Sequence, residues 1–371
     1  MTSPNEETAR GPLPATRRSH VLSALDREGA VRVTDLMADL GVSAVTVRRD
    51  LELLEREGSL RRVHGGAVAT EDGAEPDDPV ATAPIGVLVP SVYYYWPTVV
   101  RAMEAEARRR GHRLVLRGSS YDATDELVTL RRMVEREGMA GLIIAPRTDS
   151  PHFRELVHWL ARSEVPHVLV EREASLAPQG DVLESVVTNR ALGTLMAVRH
   201  LIGLGHRRLG LVLSERSPRS ASDSDDWQTA CAELGAAPEH CWTRSIPDSR
   251  SPDCPAAVAD LLRAMRQAGT TALLVHSDPE ALAIVQQAQA QGLAVPRDFS
   301  VIAYDDEVAG LASPALTAVR PPRQVVGEAA VDLLSRRLDD PGRPVHRLSL
   351  SPQLVLREST DRPPAQPDPV D

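Results

Sequence analysis

No lysine occurs in this chain of 371 residues, so each of its 42 basic side chains other than histidine is an arginine. A coding bias toward GC-rich DNA accounts for that, and no mechanism is drawn from it. Cysteine is nearly as scarce. Cys231, Cys241 and Cys254 show no CxxC spacing, and an odd, sparse set fits a reducing compartment with neither a disulfide framework nor a structural zinc site. No apolar run approaches the roughly 20 residues of a membrane-spanning helix. Met1 to Arg18 is polar and lacks the apolar core of an export signal. The expectation is a cytoplasmic chain with no membrane partner. Catalytic signatures are missing as well: there is no GxxxxGK loop, GxSxG elbow or HExxH helix. Gly203-Leu204-Gly205, followed by Gly210, ends a helix before a strand, the reverse of a dinucleotide loop. No enzyme activity, cofactor or metal is expected. The net charge of −10 excludes a uniformly basic nucleic-acid coat, so any DNA contact must come from a local patch.

What is present falls into segments. After a polar start over 1–16, expected to be disordered, residues 17–69 read as helical, dense in Arg and Leu, and closed by His64-Gly65-Gly66-Ala67. Residues 70–83 hold Glu71, Asp72, Glu75, Asp77 and Asp78 with Pro76 and Pro79, the composition of an extended acidic linker. From 84 to 360 short apolar runs alternate with amphipathic helices, the rhythm of a parallel α/β sheet. Strands are expected at Ile85–Pro90, Arg113–Arg117, Gly141–Ala145, His167–Glu171, Leu209–Leu213, Thr271–His276 and Ser300–Tyr304. Gly111, Gly138, Gly205 and Gly292 stand where helices should end. The Pro- and Asp-rich residues 361–371 read as a disordered tail.

In the first segment, Val33–Leu40, a turn at Gly41-Val42, and Ser43–Glu57 form two helices joined by a Gly-containing turn. Ser43 is a good N-cap. Val47, Leu51 and Leu54 recur at i, i+4 and i+7 and should face inward, leaving Ala44, Arg48 and one side of Thr46 toward solvent. Small, hydroxyl and Arg side chains at a helix front suit the DNA major groove. Leu60-Arg61-Arg62-Val63-His64-Gly65-Gly66 reads as a short wing whose arginines reach phosphates. From Arg17 to Gly66 nine Arg face eight Asp and Glu, so affinity would depend on placement rather than bulk charge. The expected DNA contacts are Ser43, Ala44, Thr46, Arg48, Arg49, Arg61, Arg62, His64 and Gly65. The run Ser43-Ala44-Val45-Thr46-Val47-Arg48-Arg49-Asp50-Leu51, with Leu53-Leu54, Gly58 and Arg61 through Ala67, resembles the DeoR family of bacterial regulators. That resemblance implies a winged helix-turn-helix on double-stranded operator DNA.

In the second segment, Ile85-Gly86-Val87, Gly141-Leu142-Ile143, Val165-Pro166, His200 through Arg208, Gly292 through Asp298, Ser300 through Asp306 and Pro314 through Val319 occur in the order seen in LacI/GalR sensor domains. The chain resembles that family over nearly all of Pro84 to Glu358. The resemblance implies a periplasmic-binding-protein-like fold of two Rossmann-like lobes, about 84–188 with 321–345 and 189–320 with 346–360, closing on a small sugar-like effector in a homodimer. Ligands in such sheets lie at the carboxyl ends of strands. The expected ligand-binding residues are Ser91, Tyr94, Tyr95, Trp96, Arg147, Glu171, Asp223, Ser277 and Asp305. Three of the five tyrosines stand at 93–95, beside Trp96, in a chain only 3% aromatic; rings stack on sugars and carboxylates accept from hydroxyls. Asp223 stands where the family commonly carries Arg, which reverses a charge and leaves the ligand class open. A repressor released by a carbohydrate-like inducer is the expected function. A solute-binding protein of a sugar uptake system, the alternative, has no use for the N-terminal head.

Overall fold

The computed structural model describes residues 17–364 except 19, 23, 26–28, 57–59, 64, 69–82, 92, 119–125, 177–180, 216 and 218. The expected disordered start, nearly all of the acidic linker and His64 therefore lie outside the described residues. Two units are present, Met1–Val80 and Ala81–Asp371.

In the first unit the 3.6-residue pattern does what its spacing requires. After strand β1 (Ala30–Arg32), helices α1 (Val33–Leu40) and α2 (Ala44–Arg56) are followed by β2 (Arg61–Val63) and β3 (Gly66–Val68). Gly41 ends α1 at φ 62°, a left-handed conformation that costs glycine nothing. Leu36, Val47, Leu51, Leu54, Leu60 and Ala67 form one core with Val21 and Leu25. The strands pair antiparallel with β3 in the centre. A Cβ at Gly66 would lie 2.0 Å from the Val31 carbonyl oxygen, so only glycine lets β3 approach β1 there.

The second unit runs β4 (Ile85–Val89), α3 (Trp96–Arg109), β5 (Leu114–Gly118), α4 (Glu126–Glu135), β6 (Gly141–Ile144), α5 (Phe153–Arg162) and β7 (His167–Val170). The short pair β8 (Ser175–Leu176) and β9 (Asp181–Val182) precedes β10 (Ser185–Thr188), α6 (Arg190–Leu204), β11 (Leu209–Ser214), α7 (Ser220–Glu233) and β12 (Cys241–Ile246). Then come α8 (Cys254–Gln267), β13 (Ala272–His276), α9 (Asp278–Ala290), β14 (Ser300–Tyr304), β15 (Thr317–Arg320), α10 (Arg323–Asp339), β16 (Arg347–Leu350) and β17 (Gln353–Val355). One six-stranded sheet has the order β16-β10-β7-β6-β4-β5 and the other β12-β11-β13-β14-β15-β17. Every pairing in them is parallel except β15 with β17. Strands such as β4, β13 and β14 are buried along their whole length, which is why they read as unbroken apolar runs.

Three short connections join the lobes: Thr188 to Arg190, Arg320 to Arg323, and Leu350 to Gln353. The third corrects the expected lobe division, because β16 pairs with β10 in the first sheet rather than belonging to the second lobe. Its half-exposed edge pattern carries too little apolar signal to be assigned from sequence. The first residue of the expected disordered tail is ordered. The Asp361 carbonyl receives His206 Nε2 at 2.8 Å and Ser300 Oγ at 3.1 Å, so Asp361 is docked on the second lobe, and 365–371 lie outside the described residues. No described helix is long and apolar enough to cross a membrane.

Candidate functional site

Helix α2 turns Val47, Asp50, Leu51 and Leu54 inward and leaves Ser43, Val45, Arg48, Arg49 and Glu52 exposed. Asp50 is held by Arg17, Nε to Oδ2 at 2.7 Å. Ser43 caps the helix: its Oγ accepts from the Thr46 amide at 3.3 Å and lies 3.0 Å from Thr46 Oγ1. The hydroxyls of these two expected DNA contacts thus engage each other. Ala44, expected to face solvent, packs against the core instead, because it sits about one turn before the buried Val47 and two turns before the buried Leu51. Arg48 and Arg49 point outward with no ion pair among the described residues. Arg62 does not. Its Nε contacts Glu55 at 2.7 Å and its Nη1 contacts Glu52 at 2.9 Å, while its amide donates to Glu55 at 2.9 Å. The wing arginine expected on a phosphate therefore staples β2 to α2. Gly65, at φ 84°, makes the exposed turn between β2 and β3. The Arg61 side chain and His64 lie outside what is described. Sequence reasoning missed Val45, 73% exposed on the helix front.

In the second unit the polar residues converge at the carboxyl ends of strands, where parallel sheets present free backbone groups and loops. On the first lobe, Glu171 follows β7 and is buried. It accepts from Tyr95 Oη at 2.5 Å, Thr188 Oγ1 at 2.7 Å and the Thr188 amide at 3.2 Å. On the second, Arg190 begins α6 and reaches Asp223 of α7, Nε to Oδ1 at 3.0 Å and Nη2 to Oδ2 at 3.4 Å. Arg190 Nη2 also lies 2.9 Å from His276 Nδ1, and its guanidinium sits 4.3 Å over the Tyr304 ring. Asp278, fully buried, accepts from the amides of Asp306, Glu307, Val308 and Ala309 and so ties the start of α9 to the loop after β14. Hydrogen bonds that cross between lobes include the Asp278 amide to Tyr94 Oη at 3.3 Å, Arg219 Nη1 to the Glu171 carbonyl at 3.4 Å, and Arg323 to the Asp305 and Asp306 carbonyls. The described non-glycine residues with left-handed backbone are Tyr94, Glu171, Asp305 and Asp306, all at this site, where strain is commonly retained for function.

Electrostatics divide the carboxylates. Burial pushes the Asp305 carboxyl up to about 7, with Arg190 and Arg323 opposing and Asp278 and Glu171 adding to the rise. Burial also works against the Asp223 charge, but Arg190 and His276 outweigh it and hold that carboxyl well below its ordinary range. His276 is shifted down, chiefly by burial, and favours the neutral ring. Tyr94 and Tyr95 are raised by burial first, and both feel Asp305.

Of the expected ligand residues, Tyr94, Tyr95, Glu171 and Asp305 come together. Trp96 does not: it is 4% exposed, in the first-lobe core, edge-on to Tyr95 at 5.5 Å. Asp223, 1% exposed, spends its carboxylate on Arg190 and His276 rather than facing a ligand. Arg147 is closed on Asp149, Nη2 to Oδ2 at 2.9 Å. Ser277 donates through Oγ to Glu280 at 2.8 Å as part of the α9 cap, and Ser91 Oγ accepts the Tyr93 amide at 3.0 Å. Arg190, Thr188, His276 and Arg323 were not anticipated. Thr188 and His276 end strands, and Arg190 and Arg323 open the helices that follow strands, which was the available signal. No group of His, Cys, Asp and Glu among the described residues could hold a metal. A separate hollow lined by Leu160, His167, Glu184 and Arg337 lies at the amino ends of first-lobe strands, away from this cluster.

A helix-turn-helix with an arginine-bearing front, joined to a two-lobed α/β domain with a polar strand-end cluster, defines the class of ligand-responsive DNA-binding regulators. Residues 17–72 match the DeoR-like helix-turn-helix domain and residues 198–360 the periplasmic binding protein-like domain. The chain thus carries a DeoR-like helix-turn-helix segment and a periplasmic binding protein-like segment in one polypeptide. It is similar to the arabinose metabolism transcriptional repressor of Geobacillus stearothermophilus, 26% identical over 341 residues, 86% of this chain and 88% of that one. It is also similar to the regulator MalR of Streptomyces coelicolor, 27% identical over 347 residues, 90% and 98% of the two chains. Among solved structures, a CelR–cellobiose complex matches with TM-score 0.63 at 22% identity, covering 86% of this chain and 92% of that one. The lac repressor dimer on its operator matches with TM-score 0.62 at 23% identity, covering 76% and 94%. At these identities the structural likeness speaks for the fold.

Proposed function

We propose that this protein is a repressor that binds operator DNA as a homodimer and is controlled by a small, uncharged, sugar-like effector in the interlobe cleft. The observation that carries the effector half is the convergence of Tyr94, Tyr95, Glu171 and Asp305 from both lobes on one strand-end region. An effector that contacts both lobes favours one lobe arrangement, and it shifts DNA affinity only by its preference for that arrangement. Cellobiose and ribose occupy solved relatives of this fold, which supports a carbohydrate. Arg190 is already neutralised by Asp223, which supports a ligand without a negative charge. The test is a thermal-shift screen of the full chain against neutral sugars, polyols, nucleosides and sugar phosphates, followed by operator binding with each hit. A neutral sugar that raises the transition and weakens operator binding supports the reading. Stabilisation by sugar phosphates alone would overturn the effector assignment.

A further inference from the structure

Valine is a poor choice for an exposed helix position. Its β-branch restricts the side chain against the preceding turn and lowers helix propensity, and at 73% exposure Val45 repays nothing by packing. Its surroundings give it a use. Positions 45, 48, 49 and 52 share one face at i, i+3, i+4 and i+7, and that face is the exposed one. Glu52 is occupied by Arg62, and the Ser43 and Thr46 hydroxyls engage each other. What α2 offers a partner is therefore one rigid apolar tip, Val45, beside two outward guanidiniums, Arg48 and Arg49. The guanidiniums demand a polyanion with acceptor edges. The apolar feature of a DNA major groove is the C5-methyl of thymine, next to the O6 and N7 acceptors that arginine reads on guanine.

We propose that Val45 is a base-reading residue whose isopropyl group packs on a thymine C5-methyl in each operator half-site, beside a guanine bound by Arg48 or Arg49. This rests on the DNA-binding reading above. Four residues of helix advance about 6 Å, and base pairs are spaced about 3.4 Å apart. The thymine therefore lies within about two base pairs of that guanine. Val45 fills no core, so Val45→Ala leaves the fold intact.

The experiment selects duplexes from a random pool with the full chain. Affinity is then measured for the enriched duplex and for versions with each thymine replaced singly by deoxyuridine, using the wild type, Val45→Ala and Arg48→Ala. Losing one buried methyl is worth about a fourfold drop in affinity. One thymine per half-site is expected to show that drop with the wild type. The same replacement should have no effect on Val45→Ala, while Arg48→Ala, weaker overall, keeps the methyl sensitivity. A selected duplex in which no thymine depends on its methyl, or in which the wild type and Val45→Ala respond alike to deoxyuridine, overturns the Val45 assignment and leaves DNA binding standing. Failure to enrich any duplex overturns both.

Discussion

Replacing Asp223 by alanine would leave the Arg190 guanidinium without its carboxylate partner, in a site where Arg190 is only 15% exposed and Asp223 1%. The two groups meet at 3.0 and 3.4 Å. At roughly 4 Å between charge centres and an effective dielectric near 20, their attraction is on the order of 4 kcal/mol. Breaking one side of a buried pair typically costs about 3–5 kcal/mol, because the remaining charge is left desolvated and unpaired. Asp223→Ala should therefore destabilise the sensor unit by about 3–5 kcal/mol, a large share of the stability of a typical domain. Urea unfolding followed by tryptophan fluorescence is the direct assay, since Trp227 lies fully buried on the same helix. Asp223→Asn keeps the shape and one acceptor and should cost less. The double replacement Asp223→Leu with Arg190→Met should recover much of the loss, since it buries no charge. A carboxyl held below its unfolded value stabilises above that value and loses the contribution on acidification. The gap between wild type and Asp223→Asn should thus shrink as pH falls below the unfolded 3.8. An Asp223→Ala loss under about 1 kcal/mol would refute the view that this carboxylate neutralises Arg190, and would return Asp223 to the ligand.

Asp305 has the opposite sign. With its carboxyl pushed up to about 7 against an ordinary 3.8, the native state holds a proton the unfolded chain has lost. Stability should fall as pH rises from about 4 to about 7 and then level off. Subtracting the pH profile of Asp305→Asn from that of the wild type isolates the slope, and identical profiles would contradict the assignment. Tyr95→Phe removes a 2.5 Å donor from the buried Glu171 and should destabilise the sensor by about 1–3 kcal/mol, measured by the same urea titration. In the head, Arg49→Ala should lower the salt slope of operator binding by about one. Arg62→Ala should leave that slope nearly unchanged, because Glu52 and Glu55 already balance its charge. Equal slope changes for the two variants would place Arg62 on a phosphate after all.

The features that sequence alone determined about this protein are those written in local period. Val47, Leu51 and Leu54 announce the buried stripe of α2, Gly41 and Gly205 end their helices in left-handed backbone, and β4, β13 and β14 read as buried runs because both of their faces are covered. Neighbours along the chain decide such things, so residue type and spacing suffice. Tertiary structure decided where each polar side chain spends its bonding capacity. Trp96 and Tyr95 are adjacent in sequence, yet one enters the core while the other reaches Glu171, 76 residues away. Asp223 finds Arg190 at a separation of 33 residues. Arg62 finds Glu52 and Glu55 only once the wing folds back on α2. Arg347–Leu350 joins the first lobe because β10 offers an unpaired edge. A charged or aromatic residue has the same appearance in sequence whether it faces solvent, a ligand or a buried partner, and only the folded chain brings the partner within reach.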